Sequence, residues 1–240
     1  MTALTVWAFA WILIHWLISG GPLRRPVIAF TGETSFQIFF SALSAACLIG
    51  LCIAYAEAKP ADRPLTNIAT TIFVVFQFLA AILIVCGLST RNPTAVRGEG
   101  LVSNPDVVHG ILRVTRHPFL WGVLLWAVSY VLIRRDMAAM VFGGSIGFVA
   151  ARGMWSIERK RRKGVWDTTS ARRLMLYDEW WSFNHATSCV PMWAVLTGRQ
   201  RLVLREIGFG RLCAAIGIWL SFLWVQLDLN SVLSRSNDGS

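Results

Sequence analysis

Hydrophobic residues in this chain do not alternate with polar ones; they run on in blocks. Six near-continuous apolar blocks fall at roughly 3–19, 36–56, 66–88, 118–134, 136–155 and 207–227, and the segments between them hold most of the charge. A helix of about 20 apolar residues spans the hydrocarbon core of a bilayer. Trp and Phe recur near the block ends, as in aromatic belts. The short alternating segments of a membrane β-barrel are absent. The expected fold is all-α, a polytopic membrane helical bundle of about six transmembrane helices. Residues 1–240 read as one transmembrane domain. Within it, 155–206 form an inner-face, interfacial segment before the last span, and the polar tail 230–240 is expected to be disordered.

Composition agrees with the pattern. The chain is 55% hydrophobic with twelve tryptophans in 240 residues, and its mean hydropathy is +0.54. The net charge of +10 is read first as topology. With the N-terminus outside, the inner side holds Arg24, Arg25, Arg91, Arg97, Arg113, Arg116, the run Arg159-Lys160-Arg161-Arg162-Lys163, Arg172, Arg173, Arg199, Arg201 and Arg205. The outer side keeps only Lys59, Arg63, Arg134, Arg135 and Arg235. This asymmetry favours both termini outside. No nucleic-acid motif accompanies the basic run, so nucleic acid is not the expected partner; the run reads as a solvated inner-face stop signal with anionic lipid within its reach. The five cysteines, Cys47, Cys52, Cys86, Cys189 and Cys213, form no CxxC pair and read as small buried hydrophobes.

Chemistry concentrates at 110–122, the stretch Gly-Ile-Leu-Arg-Val-Thr-Arg-His-Pro-Phe-Leu-Trp-Gly. Proline is favoured in the first helical turn, so His117 falls at the N-cap of the fourth span with Arg113 and Arg116 just outside it. A second titratable group, His15, lies about one turn before the Gly20-Gly21-Pro22 break that ends the first span. An intramembrane histidine is a functional candidate by default. The predicted topology also puts His109 and His185 on the inner side, so all four histidines share one half of the molecule. Two imidazoles from different helices suit a metal, and above all the axial positions of a b-type haem. Arg24, Arg25, Arg113 and Arg116 lie where propionates would meet water. A zinc hydrolase fits less well, since no HExxH is present. The plainer reading remains open, with His117 as a helix cap and the arginines on lipid headgroups.

The chain resembles the NnrU family of bacterial membrane proteins, which includes the 15-cis-ζ-carotene isomerases (Z-ISO) of plants and cyanobacteria. The resemblance rests on His15 with Pro22-Leu23-Arg24, and on Gly32-Glu33 with Phe40-Ser41-Ala42-Leu43-Ser44. It rests further on the 110–122 block followed by Trp126-Ala127. Trp181-Ser182-Phe183, Thr187-Ser188, Pro191 and Gly198-Arg199 resemble the longer bacterial members. The resemblance implies a membrane protein that binds haem b through His15 and His117, with a role in denitrification and nitric oxide reduction. The isomerase branch implies a different outcome, cis–trans isomerisation of an apolar polyene. A third reading is a membrane methyltransferase using S-adenosylmethionine, whose Arg-His-Pro block is similar. There, however, an aromatic is expected where Ile111 and Leu112 stand, and paired glutamates where Glu158 precedes basic residues. A non-catalytic assembly or sensor protein is a fourth. The partners implied are the lipid bilayer, nitric oxide or a polyene, and a second copy of the chain.

Overall fold

The computed structural model describes residues 1–19, 21–58, 67–95, 98–163 and 170–237, with residues 67, 170–176 and 225–237 described by backbone alone. Lys59, Arg63 and Arg97 of the charge assignment therefore lie outside the described residues, as do the side chains of Arg172, Arg173 and Arg235. Among the described residues every regular element is helical. The helices are α1 (Thr2–Ile14), α2 (Arg24–Thr31), α3 (Glu33–Glu57), α4 (Asn67–Ser89), α5 (Pro118–Arg134), α6 (Met137–Arg162), α7 (Ser170–Ala186), α8 (Trp193–Leu196), α9 (Leu204–Ile207) and α10 (Phe209–Asn237). One π-turn (His15–Ser19) continues α1, and 3₁₀ turns lie at Glu99–Ser103 and Gly110–Arg113.

All six apolar blocks are helices. Four stretches, Thr2–Ser19, Glu33–Glu57, Ile68–Ser89 and Met137–Arg162, are long and apolar enough to cross a membrane. The other two are shorter, 17 residues in Pro118–Arg134 and the apolar part Phe209–Trp224 of α10. Large apolar side chains such as Phe9, Ile38, Ile53, Ile68 and Leu132 point outward, as lipid-facing residues do.

Two elements depart from the block pattern. Residues 23–33, between the first two apolar blocks, contain α2. Pro26 falls in its first turn, where a missing N–H is tolerated, and Gly32 at φ 81° separates α2 from α3. The fifth span runs on past residue 155 to Arg162, so the basic run is the last turn of α6. Within the segment 155–206, Trp180 and Phe183 are buried. The backbone helix of α10 continues through Asn237.

The chain forms two compact units, one of Met1–Phe76 with Val123–Asp178, the other of Gln77–Gly122 with Glu179–Ser240. In the first, α1, α3 and α6 pack around Leu4, Ala8, Trp11, Cys47, Leu51, Ala54, Phe142 and Ile146. The Trp7 ring lies against Gly50, where a Cβ would sit 2.5 Å from it, so that glycine sets the approach of α1 to α3. Tyr130 donates to Tyr55 Oη at 2.8 Å inside an aromatic group with Trp126 and Phe142. In the second unit, Ile111 at the 110–122 block packs with Cys86 and Ile207.

Candidate functional site

In the first unit, His15 opens the π-turn at the end of α1. Single π-turns within α-helices recur at functional positions. Its Nδ1 lies 2.9 Å from the Trp11 carbonyl, one turn back. A carbonyl only accepts, so Nδ1 carries the proton and Nε2 keeps the lone pair. Around the ring stand Trp11, with centroids 4.2 Å apart, and Phe40, edge-on at 5.3 Å. Ser44 Oγ approaches Nε2 at 3.5 Å, at the outer limit of a hydrogen bond. Nearby on the chain, Arg24 pairs with Glu33 at 2.9 Å and lies over the Phe36 ring. Arg25 is exposed.

In the second unit, the 110–122 block is braced from two sides. Residues 188–192 supply one side. Arg116 N–H donates to the Ser188 carbonyl at 3.0 Å and Met192 N–H to the Val114 carbonyl at 2.8 Å. The Cys189 carbonyl accepts from Thr115 Oγ1 (2.8 Å) and from Trp121 Nε1 (2.7 Å). On the other side, Asn92 Nδ2 and Thr94 Oγ1 both donate to the Arg116 carbonyl at 2.9 Å. A short loop carrying a polar peptide chain is stable in an apolar setting only when such groups are matched.

His117 sits at the centre of this frame and is 1% exposed. Its carbonyl takes the Trp121 N–H at 3.0 Å, which is the N-cap position expected before Pro118. Its own N–H donates to Thr115 Oγ1 at 3.3 Å. A ring nitrogen of His117 and the Cys189 thiol lie within 4.8 Å of each other. Imidazole and thiol together are ligands for borderline and soft transition metals.

The arginines divide. Arg116 is buried, and its Nη1 donates to the Asn184 carbonyl (3.0 Å) and Thr187 Oγ1 (3.1 Å). Arg113 is held by Glu206 through Nε at 2.7 Å and Nη2 at 2.9 Å, and by Gln200 Oε1 at 2.7 Å. The usual Glu206 pKa falls to about 2, first through the Arg113 hydrogen bonds, then through the Gly110 N–H. A propionate at Arg113 would thus compete with a carboxylate already in place. His109 donates toward the Asp106 carbonyl at 3.1 Å, and His185 is exposed beside Trp181.

Two participants escaped the sequence reading. Cys189 was set aside with the other thiols, all five of which are free. Glu206 was not singled out, although it is the sole carboxylate between Glu179 and Asp228, on the side where arginines crowd. That isolation was the available signal.

An all-helical chain with four helices fit to cross a bilayer, and apolar side chains turned outward along them, is a polytopic membrane protein. Residues 3–226 match the family described as NnrU protein, and the chain belongs to that family. No curated protein and no solved structure matches the chain. Membership supports a membrane protein associated with denitrification.

Proposed function

We propose that this protein binds haem b in the bacterial inner membrane and acts on nitric oxide or on electrons bound for it. His15 is one of the residues that would hold its iron. The observation that carries the reading is its Nδ1–H bond to the Trp11 carbonyl, which leaves Nε2 basic among apolar rings. Metal-binding histidines are characteristically oriented in this way. His117 is the second ligand that the Z-ISO resemblance implies, and its burial suits that role. Arg25 is the proposed propionate partner of the first unit; Arg24 and Arg113 are weaker choices because Glu33 and Glu206 already pair with them. Bound haem would supply a redox-active iron able to take up nitric oxide or pass single electrons. The protein's own part is to orient the imidazoles, keep water from them and hold Nδ1 of His15 protonated.

Absorption spectra of the detergent-purified full chain test this. The wild type should show a Soret band and a pyridine haemochrome of the b type. His15→Ala and His117→Ala should each lose most of the bound haem while keeping the wild-type gel-filtration profile. A haem-free wild type, or spectra unmoved by both substitutions, rejects the proposal. Isomerisation of tri-cis-ζ-carotene by the reduced protein would replace the nitric oxide role. Methyl transfer from labelled S-adenosylmethionine would replace the whole reading.

A further inference from the structure

Trp155, on α6, is 52% exposed. Two guanidinium groups share its ring: the Cζ of Arg152 lies 4.4 Å from the centroid and that of Arg159 lies 5.1 Å away. The spacing is that of one helix face, three residues before the tryptophan and four after it. Lys160 and Arg161 have interactions elsewhere, and Glu158 is buried. Among the described residues, neither Arg152 nor Arg159 is within ion-pair distance of a carboxylate. Two like charges are therefore gathered on one exposed ring with no carboxylate beside them among the described residues. A cation–π contact engages the flat face of guanidinium and leaves its in-plane N–H donors for an anion.

Depth along the helix says which anion. From Met137, Trp155 lies about 27 Å along the helix and Arg159 about 33 Å, at 1.5 Å per residue. The hydrocarbon core is about 30 Å thick. If α6 begins at one boundary, Trp155 reaches the other, where tryptophan anchors, and Arg159 reaches the phosphate layer. Arg152 is about two turns deeper than Arg159 and can extend along the ring to the same layer. The C-terminal turn of a helix also favours cations, and Arg159 stands in that turn of α6.

We propose that Arg152, Trp155 and Arg159 form a binding site for the headgroup of an anionic phospholipid. The phosphodiester takes the guanidinium donors while an acyl chain lies along the exposed apolar side of α6. Neutral zwitterionic lipids bring their own cation and bind more weakly.

Native mass spectrometry of the full chain, with phosphatidylglycerol and phosphatidylcholine titrated in detergent, tests the site. The wild type should retain at least one phosphatidylglycerol about tenfold more tightly than phosphatidylcholine. Equal retention of the two lipids overturns the proposal whatever the variants do. R152Q/R159Q should abolish the preference, and Trp155→Leu should weaken it severalfold with all charges intact. Arg162→Gln with Lys163→Gln, two charges removed from the same helix end, should leave it unchanged. If that pair weakens binding as much as R152Q/R159Q, the attraction is diffuse and the site is wrong. Inorganic phosphate at millimolar concentration should not displace the lipid; full displacement would make free phosphate the ligand instead.

Discussion

Glu206 accepts three N–H groups at once: Gly110 N at 2.8 Å, Arg113 Nε at 2.7 Å and Arg113 Nη2 at 2.9 Å. Each bond favours the ionised carboxylate, which is why its pKa drops from 4.5 to about 2. A carboxylate with a lowered folded-state pKa stabilises the fold fully above its unfolded value. That contribution is lost as the pH falls from about 4.5 toward 2. Glu206→Gln should cost roughly 1–2 kcal/mol near neutrality, discounted for its partial exposure. The gap to wild type should close by pH 2, as thermal unfolding in detergent across pH would show; a constant gap would mean that packing, not charge, carries the effect. The two histidines were legible because a titratable ring in an apolar run stands out. The partner of Arg113 was not, since it lies 93 residues away and only the fold brings it near. Cys189 was hidden for the same reason: nothing local distinguishes a thiol beside an imidazole from a buried one.

Glycines decide how closely the helices meet. A Cβ on Gly122 would lie 2.7 Å from Ile84 Cγ1 and 2.9 Å from both the Ala80 carbonyl oxygen and Ile84 N. Two of these three atoms are backbone, so α5 and α4 would have to separate. Gly122→Ala should destabilise the protein by about 2 kcal/mol, within the range of overpacking. Gly144→Ala, with no atom within 4 Å of the new Cβ, should leave the melting temperature level or slightly raised. Equal losses in the two variants would show that the close approach is not what matters. Gly143, Gly144 and Gly147 stand close together along α6. Helical periodicity divides them: a Cβ on Gly143 would meet Val131 at 2.8 Å and one on Gly147 would meet Ala127 at 3.2 Å, while Gly144 turns to open space. Long apolar helices were readable because their length and composition are set by the bilayer. Short α2 was not, because its helix depends on a first-turn proline and a glycine stop whose effect looks the same as a loop's.

At the scale of the whole chain, orientation rests on parity as much as on charge. Six crossings return the C-terminus to the side of the N-terminus; five would not. Four helices meet the span criterion outright, and the count turns on α5 and α10. The 17 residues of α5 rise about 25 Å, the low end of what crosses a core of about 30 Å. Its C-terminal end is fixed by the Arg134-Arg135-Asp136 turn, where Asp136 caps α6 by accepting from Ala139 N–H at 2.7 Å, so α5 and α6 are consecutive antiparallel partners in the sequence. In α10 the apolar sequence runs past Trp224 to Leu227 and the backbone helix continues to Asn237, which is length enough to complete a crossing. The basic run at the end of α6 supplies the strongest retention signal, and it acts on the nascent chain before any partner within the fold is made. Alkaline phosphatase fused at the C-terminus should therefore be active and a fluorescent protein there dark, with the reverse for fusions placed directly after Lys163. Fluorescence at both positions would mean that α10 does not cross, and fusions after Ser89 and after Arg134 that report the same side would mean that α5 does not.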